Sequence, residues 1–165
     1  MHTRESAGLE PPPSSLIKCL GAFTHWGEAG PTLALVLEHV PGGDLLRQVE
    51  SQRRLPKHFV RRVVYQIGDA LAFLHTVVVM HRDVKPDNIL IWQPGTDWVV
   101  LADFGLAVEV NDPDASRRCG TPGYIAPEIL SRSVQKYTPV VDVFSLGCTA
   151  YHLLVGVPPF IGRSH

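Results

Sequence analysis

Short apolar runs open this chain and helical periodicity follows them. Leu16 to Phe23 and Thr32 to Glu38 are apolar stretches separated by Gly27-Glu28-Ala29-Gly30-Pro31, a pattern that predicts two antiparallel strands joined by a loop. Pro41-Gly42-Gly43-Asp44 then breaks the second strand and caps a helix beginning near Leu45. From Pro56 to His75 the residues Phe59, Val60, Val63, Val64, Ile67, Leu71 and Leu74 recur at helical spacing, which predicts an amphipathic helix with Pro56 near its first turn. Ile89 to Trp92 and Trp98 to Ala102 flank Pro94-Gly95-Thr96-Asp97 and predict a second hairpin, whose ends carry acidic and polar residues that packing does not need. Val140 to Leu154 is apolar on nearly every face, so it is expected as a helix surrounded by protein. Residues 1–15 are polar and proline-rich and read as a flexible lead.

Composition narrows the class without naming it. The 165 residues carry 15 Lys+Arg and 16 Asp+Glu, a net charge of −1, so nothing points to nucleic acid or an anionic membrane. Hydrophobic residues make up 45% of the chain, and this length suits one small domain able to bury about 70% of its unfolded surface. Cys19, Cys119 and Cys148 are odd in number and never form a C-x-x-C pair, which argues against a disulfide framework or a zinc knuckle and for a reducing cytosol. No H-E-x-x-H occurs among the eight histidines. The apolar stretch Val140 to Phe160 is interrupted by Asp142, Ser145, His152, Pro158 and Pro159, so a buried helix is expected over a membrane span. The N-terminus has no apolar core of a signal peptide.

The chemistry gathers around the second hairpin. His81-Arg82-Asp83-Val84-Lys85-Pro86-Asp87-Asn88 stands before it and Asp103-Phe104-Gly105 after it, which places Asp83, Lys85, Asn88 and Asp103 at its two mouths. Singly, each segment is commonplace. Together they suit phosphoryl transfer, in which a protein supplies positioning and electrostatics. A carboxylate and an amide oxygen hold hard Mg²⁺, a second carboxylate accepts the proton of an attacking hydroxyl, and a lysine neutralises the migrating group.

With Ala126-Pro127-Glu128 following in order, the chain resembles the eukaryotic protein kinase family, serine/threonine type. Cys119-Gly120-Thr121-Pro122-Gly123-Tyr124 and Asp142-Val143-Phe144-Ser145-Leu146-Gly147 also look like kinase segments, the first similar to calcium/calmodulin-type and cyclic-nucleotide-type members. The resemblance implies ATP and Mg²⁺ as cofactors and a protein Ser/Thr hydroxyl as acceptor. It gives Asp83 the role of orienting and deprotonating that hydroxyl, Lys85 a contact to the γ-phosphate, Asn88 and Asp103 the metal, and Thr121 a place beside Asp83 and Lys85. Leu37-Glu38-His39-Val40 looks like the hinge: Leu37 as gatekeeper, the backbone of Glu38 and Val40 on the adenine edge, and Leu90 as the adenine floor. Asp44 would reach the ribose or a basic substrate residue, or serve as a plain helix cap. Asp142 resembles the buried aspartate that bonds the catalytic-loop backbone. Asp103 to Glu128 would form the activation segment, with Ser116 its phosphorylation candidate and Arg82, Arg117 and Arg118 available to the phosphate.

The implied fold is α+β: a truncated protein-kinase-like fold, with part of the small-lobe sheet plus a mainly helical large lobe. Its expected layout is a lead at 1–15, small-lobe strands and hinge at 16–40, and an incomplete large lobe at 41–165. Within the chain there is no G-x-G-x-x-G followed by a strand lysine, and no helix to supply the paired glutamate. Losing one preorganised donor costs about 2.7–4 kcal/mol of transition-state stabilisation, so activity of the isolated chain is expected to be very low. Val77-Val78 stands where a polar turn is usual, and Val100 where lysine is common. Without the large lobe's remaining helices, the apolar helix at Val140 to Leu154 is expected to keep an uncovered face, a patch that favours aggregation or a partner. The missing phosphate grip gives a second functional expectation, a noncatalytic kinase-like fragment that binds a partner.

Overall fold

The computed structural model describes residues 14–27, 30–131 and 136–160. Strands β1 (Cys19–Gly27) and β2 (Gly30–Leu37) pair antiparallel, with Gly27 opposite Gly30 at the tip. The strands run further than the apolar pattern predicts. Pro31 and Gly30 belong to β2, and the expected start of β1 at Leu16 moves to Cys19, because Leu16 is engaged elsewhere. Every residue of β1 is exposed, and Phe23, Trp26, Leu33 and Leu35 stand out from the hairpin without cover.

Two joints hold this hairpin to the rest of the molecule. At the first, the Leu101 amide donates to the Ser15 carbonyl (2.8 Å) and the Ile17 amide to the Leu101 carbonyl (2.9 Å), a short parallel bridge. At the second, the Gly42 amide donates to the Ile91 carbonyl (3.1 Å) and the Ile91 amide to the Gly43 carbonyl (2.8 Å). A Cβ on Gly42 would collide with the Ile91 carbonyl, so the close approach requires glycine there. Glu38 closes the hairpin's base: its amide donates to the Lys18 carbonyl (3.0 Å), and its carboxylate accepts the Lys18 amide (2.8 Å).

Helix α1 (Leu45–Gln52) begins as expected, with the Asp44 carboxylate accepting the Arg47 amide at 2.8 Å. Helix α2 (Lys57–Thr76) follows, with Pro56 at its cap and Val60, Val63, Ile67, Leu71 and Leu74 turned into the core. Strand β3 (Val79–Met80) pairs antiparallel with β6 (Val108–Glu109), and β4 (Ile89–Ile91) with β5 (Val99–Leu101), the second of these being the expected second hairpin. Helices α3 (Pro127–Leu130) and α4 (Val140–Val155) follow, and short 3-10 turns lie at Pro86–Asn88 and Pro113–Ser116. The fold is thus α+β, with small two-stranded sheets and a mainly helical body. Its main core joins α1, α2, β4, β5 and α4 through residues such as Leu45, Ile67, Leu71, Ile89, Leu101 and Leu153. A smaller core gathers Met80, Ala126, Ile129, Tyr137 and Val141. Among the described residues, no helix is long and apolar enough to cross a membrane.

Of the two expectations for α4, that protein surrounds it needs correction, and that it keeps an uncovered face agrees with the structure. Val141, Asp142, Ser145, Cys148, Thr149, His152 and Leu153 are buried, but Val140, Val143, Gly147, Tyr151 and Leu154 are exposed. Helix α2 and the α3 region cover only one side of it. An all-apolar pattern records which faces tolerate burial, and neighbouring elements decide which faces receive it.

The chain turns out of α2 through Val77 and Val78, and Val78 takes φ +63°. A β-branched residue pays about 1–2 kcal/mol in this left-handed region. Val78 is held there from both sides, its amide donating to the His75 carbonyl (3.2 Å) and its carbonyl accepting the Val110 amide (2.8 Å). Val78→Asn should therefore raise the unfolding free energy by about 1 kcal/mol. Urea denaturation checks this: a higher midpoint with an unchanged slope is expected, and an unmoved or lower midpoint would show that Val78 bears no strain.

Candidate active site

The site is built outward from one buried carboxylate. Asp142, in the first turn of α4, is fully buried; one of its oxygens accepts the Arg82 amide (2.7 Å) and the other the His81 amide (2.9 Å). His75, at the end of α2, places Nε2 2.9 Å from that second oxygen. Two consecutive amides can point at one side chain only if the backbone turns sharply, and Arg82 adopts φ +66°.

His81 carries the constraint across to the second hairpin. Its Nε2 donates to the Ala102 carbonyl (3.0 Å), while its Nδ1 accepts the Asp83 amide (3.3 Å). These partners require a neutral ring protonated on Nε2, and burial does push the His81 pKa down, against backbone hydrogen bonding and the nearby aspartates. The ring also meets Phe104 edge-on, with centroids 4.9 Å apart. Since the Ala102 amide donates to the Asn88 carbonyl (2.8 Å), Ala102 is held on both sides, and Asp103 is the next residue.

Asp83, Lys85, Asn88 and Thr121 meet in one ring of hydrogen bonds. Lys85 Nζ lies 2.7 Å from Thr121 Oγ1 and 3.0 Å from Asp83 Oδ2. Thr121 Oγ1 donates to Asp83 Oδ1 (2.7 Å), and Asn88 Nδ2 donates to the Asp83 carbonyl (2.8 Å) and Oδ2 (3.0 Å). Burial alone pushes the Asp83 carboxyl up, but the bonds from Thr121, Lys85 and Asn88 and the lysine charge together bring it below the usual carboxylate range. The four residues expected at one centre are therefore brought together, with Asp83 held ionised.

Asp103 stands apart from that ring. It is exposed at φ +59°, and its Oδ1 accepts the Gly105 amide at 3.1 Å. With Asn88 Nδ2 committed to Asp83, the Asn88 side-chain oxygen is left as an acceptor, so Asn88 and Asp103 offer oxygen donors of the kind a hard divalent ion takes. Among the described residues no group of three or more His, Cys, Asp or Glu side chains comes together to hold a metal. Oxygens from a bound nucleotide or water would have to complete such a site.

The expected hinge is more open. Leu37 ends β2 half exposed, and Leu90 lies partly buried in β4, opposite Val100. The Glu38 amide is spent on Lys18, but its carbonyl and the backbone groups of Val40 make no backbone hydrogen bond among the described residues. Asp44 caps α1 and pairs with Arg47 at 3.3 Å.

Two features escape sequence reasoning. The nearly buried Arg82 guanidinium is expected to meet a phosphate, yet it donates to backbone carbonyls: Nε to Leu106 (2.8 Å), and Nη1 to Asp114 (3.0 Å), Ala115 (3.4 Å) and Arg117 (3.5 Å). These acceptors flank Ser116, the last residue of a 3-10 turn from Pro113. The second is a polar ridge on α4. Beyond Asp142, Ser145 Oγ donates to the Tyr124 carbonyl (2.8 Å), Thr149 Oγ1 to the Val84 carbonyl (3.2 Å), and His152 Nδ1 lies 2.6 Å from the Tyr124 hydroxyl. Positions 142, 145, 149 and 152 share one helical face, so a polar stripe in an apolar helix was the available signal.

Comparison with known proteins agrees with this geometry. The family model for the protein kinase domain matches residues 13–165. The chain is similar to serine/threonine-protein kinase DCLK2 of Mus musculus, 41% identical over 135 residues (81% of this chain, 18% of that protein). It is also similar to two proteins of Caenorhabditis briggsae. Aurora/IPL1-related protein kinase 2 is 36% identical over 126 residues (76% of this chain, 40% of that protein), and calcium/calmodulin-dependent protein kinase type 1 is 37% identical over 131 residues (79% and 36%). The chain thus spans less than half the length of each of these relatives.

Two outcomes test the site's construction. Asp142→Asn should lower the unfolding free energy by about 3 kcal/mol, since hydrogen bonds to a charged acceptor are lost inside the protein, and the His81 and Arg82 amides should lose hydrogen-exchange protection. The Asp83 carboxyl titrates lower in the folded than in the unfolded chain, so its contribution is present above the ordinary Asp value of about 4 and is lost as pH falls through the folded value. Thr121→Val removes one of the bonds that lower it. Its stability should therefore fall less between neutral and acid pH than that of the unsubstituted chain, and equal slopes would refute the assignment.

Proposed function

The chain belongs to the protein kinase family, and from that premise we propose that the ring around Asp83 serves transfer of the ATP γ-phosphate to a serine or threonine hydroxyl of a protein. The observation carrying this reading is the double hold on Asp83, whose two oxygens are fixed by Thr121 on one side and by Lys85 and Asn88 on the other. Asp83 is ionised and oriented, as the acceptor of a hydroxyl proton must be. The hydroxyl oxygen attacks the γ-phosphorus, the bond to the bridging oxygen breaks, ADP leaves with that electron pair, and Asp83 takes the proton. Lys85, already pointing into the ring, offers its charge to the transferring group.

In this reading Asn88 and Asp103 hold Mg²⁺, which supplies charge neutralisation on the phosphates. Leu37 and Leu90 face the adenine, the free backbone groups of Glu38 and Val40 meet its edge, and Asp44, beyond its cap role, reaches the ribose or a basic substrate side chain. Three cysteines, odd in number and never in a C-x-x-C pair, support placing the chain in a reducing cytosol.

A second reading has its own support. The chain carries no G-x-G-x-x-G and no strand lysine, and the hairpin above the site is bare on both faces. A noncatalytic role as a binding partner fits those facts. Phosphate transfer from Mg·ATP to a mixed Ser/Thr peptide set, measured with the purified chain, separates the two. Slow transfer that falls by about 10²–10⁴-fold in Asp83→Asn is expected. Transfer that persists in that variant would remove Asp83 from its role, and no transfer with no binding of a nucleotide analogue would leave the noncatalytic reading.

A further inference from the structure

Arg82 spends on backbone carbonyls the donors that the sequence reserves for a phosphate, and this bears on how the segment after Asp103 is held. The residue is only 8% exposed, and its acceptors come from two stretches of that segment: Leu106 at Nε, and Asp114, Ala115 and Arg117 at Nη1. A phosphate is gripped across two neighbouring nitrogens of the guanidinium fork, Nη2 with either Nη1 or Nε. Both of those pairs include a nitrogen that the carbonyls have already taken.

The acceptors are presented by local structure that needs no modification. Asp112 caps the turn Pro113–Ser116, its Oδ1 accepting the Asp114 amide at 2.7 Å. The turn itself closes through the Ala115 amide on the Asp112 carbonyl and the Arg117 amide on the Asp114 carbonyl, both at 3.0 Å. Ala115 is buried in the smaller core with Met80, Ala126 and Val141, so a side chain fastens the turn as well. Upstream, β6 pairs with β3, and the Val110 amide donates to the Val78 carbonyl at 2.8 Å. Ser116 is the one hydroxyl residue between Asp103 and Gly120 and so the one place there for a phosphate. Asp112 and Asp114, both exposed, stand four and two residues before it. A phosphate at Ser116 would add about two negative charges to a turn that already carries two carboxylates.

We infer that Arg82 is a backbone latch: the segment from Leu106 to Arg117 takes its course without phosphate, and Thr121 is carried to Asp83 in the unmodified chain. The inference is tested by order and not by transfer, so a chain that transfers no phosphate can still carry the latch. The chain freed of phosphate by phosphatase, and checked by intact mass, should show an Arg82 Nε–H that exchanges slowly with water by NMR, and protected amides at Val110, Ala115 and Arg117. Phosphoserine installed at 116 should slow none of them further. Arg82→Lys keeps the charge but offers one ammonium to four scattered carbonyls. In that variant the Ala115 and Arg117 amides should exchange at least about tenfold faster, and trypsin should cleave sooner after Arg117 and Arg118. A freely exchanging Arg82 Nε–H, protection that arises only with phosphoserine, or an Arg82→Lys chain whose segment stays closed would each overturn the latch. If Arg82→Lys does not fold, the first two measurements decide the matter by themselves.

Discussion

The carboxylate of Asp142 is the constraint on which the site depends. A charge with no access to water costs several kcal/mol unless its lone pairs are filled. Here the fill comes from two successive amides of the loop after β3 and from His75 at the end of α2. Any other course of that loop would leave the charge short of partners, so the fold pins the loop where the ring needs it. The left-handed backbone at Arg82 is the local cost of that arrangement, and the direction of Asp83 is its consequence. Ser145, Thr149 and His152 extend the same logic along the helix, tying Tyr124 and Val84 to the face that anchors the loop.

Two cations flank Asp83 and do different work. Lys85 faces into the ring and meets a carboxylate and a hydroxyl. Arg82 points away, and its charge is stabilised by the carbonyl dipoles of residues 106, 114, 115 and 117. Lys85 thereby shapes the electrostatics of the centre, while Arg82, three residues earlier, fixes the segment that leads to Thr121. The guanidinium's fan of donors suits that second task, since a single ammonium serves several scattered carbonyls poorly.

Much of this was legible in the residues. Hairpins and helices came from local periodicity, and α1 came from the glycine pair and the capping Asp44, because strand alternation, helical spacing and caps act over a few residues. Asp83, Lys85 and Asn88 were legible as one cluster at the mouth of the second hairpin, whereas Thr121 joined them only through the family resemblance. Arg82's partners were not, since every residue carries a carbonyl and no side-chain pattern marks the ones that turn inward. That α4 keeps an uncovered face was legible, but which side stays bare was not: Val143 and Leu153 read alike in sequence, and only their position relative to α2 and Tyr124 separates them. Leu16 read as the start of β1 because its apolar run is continuous, whereas tertiary pairing with Leu101 draws it to the other hairpin.

The exposed hairpin's two joints land on opposite strands of the same pair: Ser15 and Ile17 on β5, and Gly42 and Gly43 on β4. Asn88 leads directly into β4, and Asp103 follows two residues after β5. In mechanical terms the hairpin is a lever bolted to both jaws of a clamp. A force on the hairpin would therefore load β4 and β5 against each other as shear, between the residues that lead to Asn88 and to Asp103.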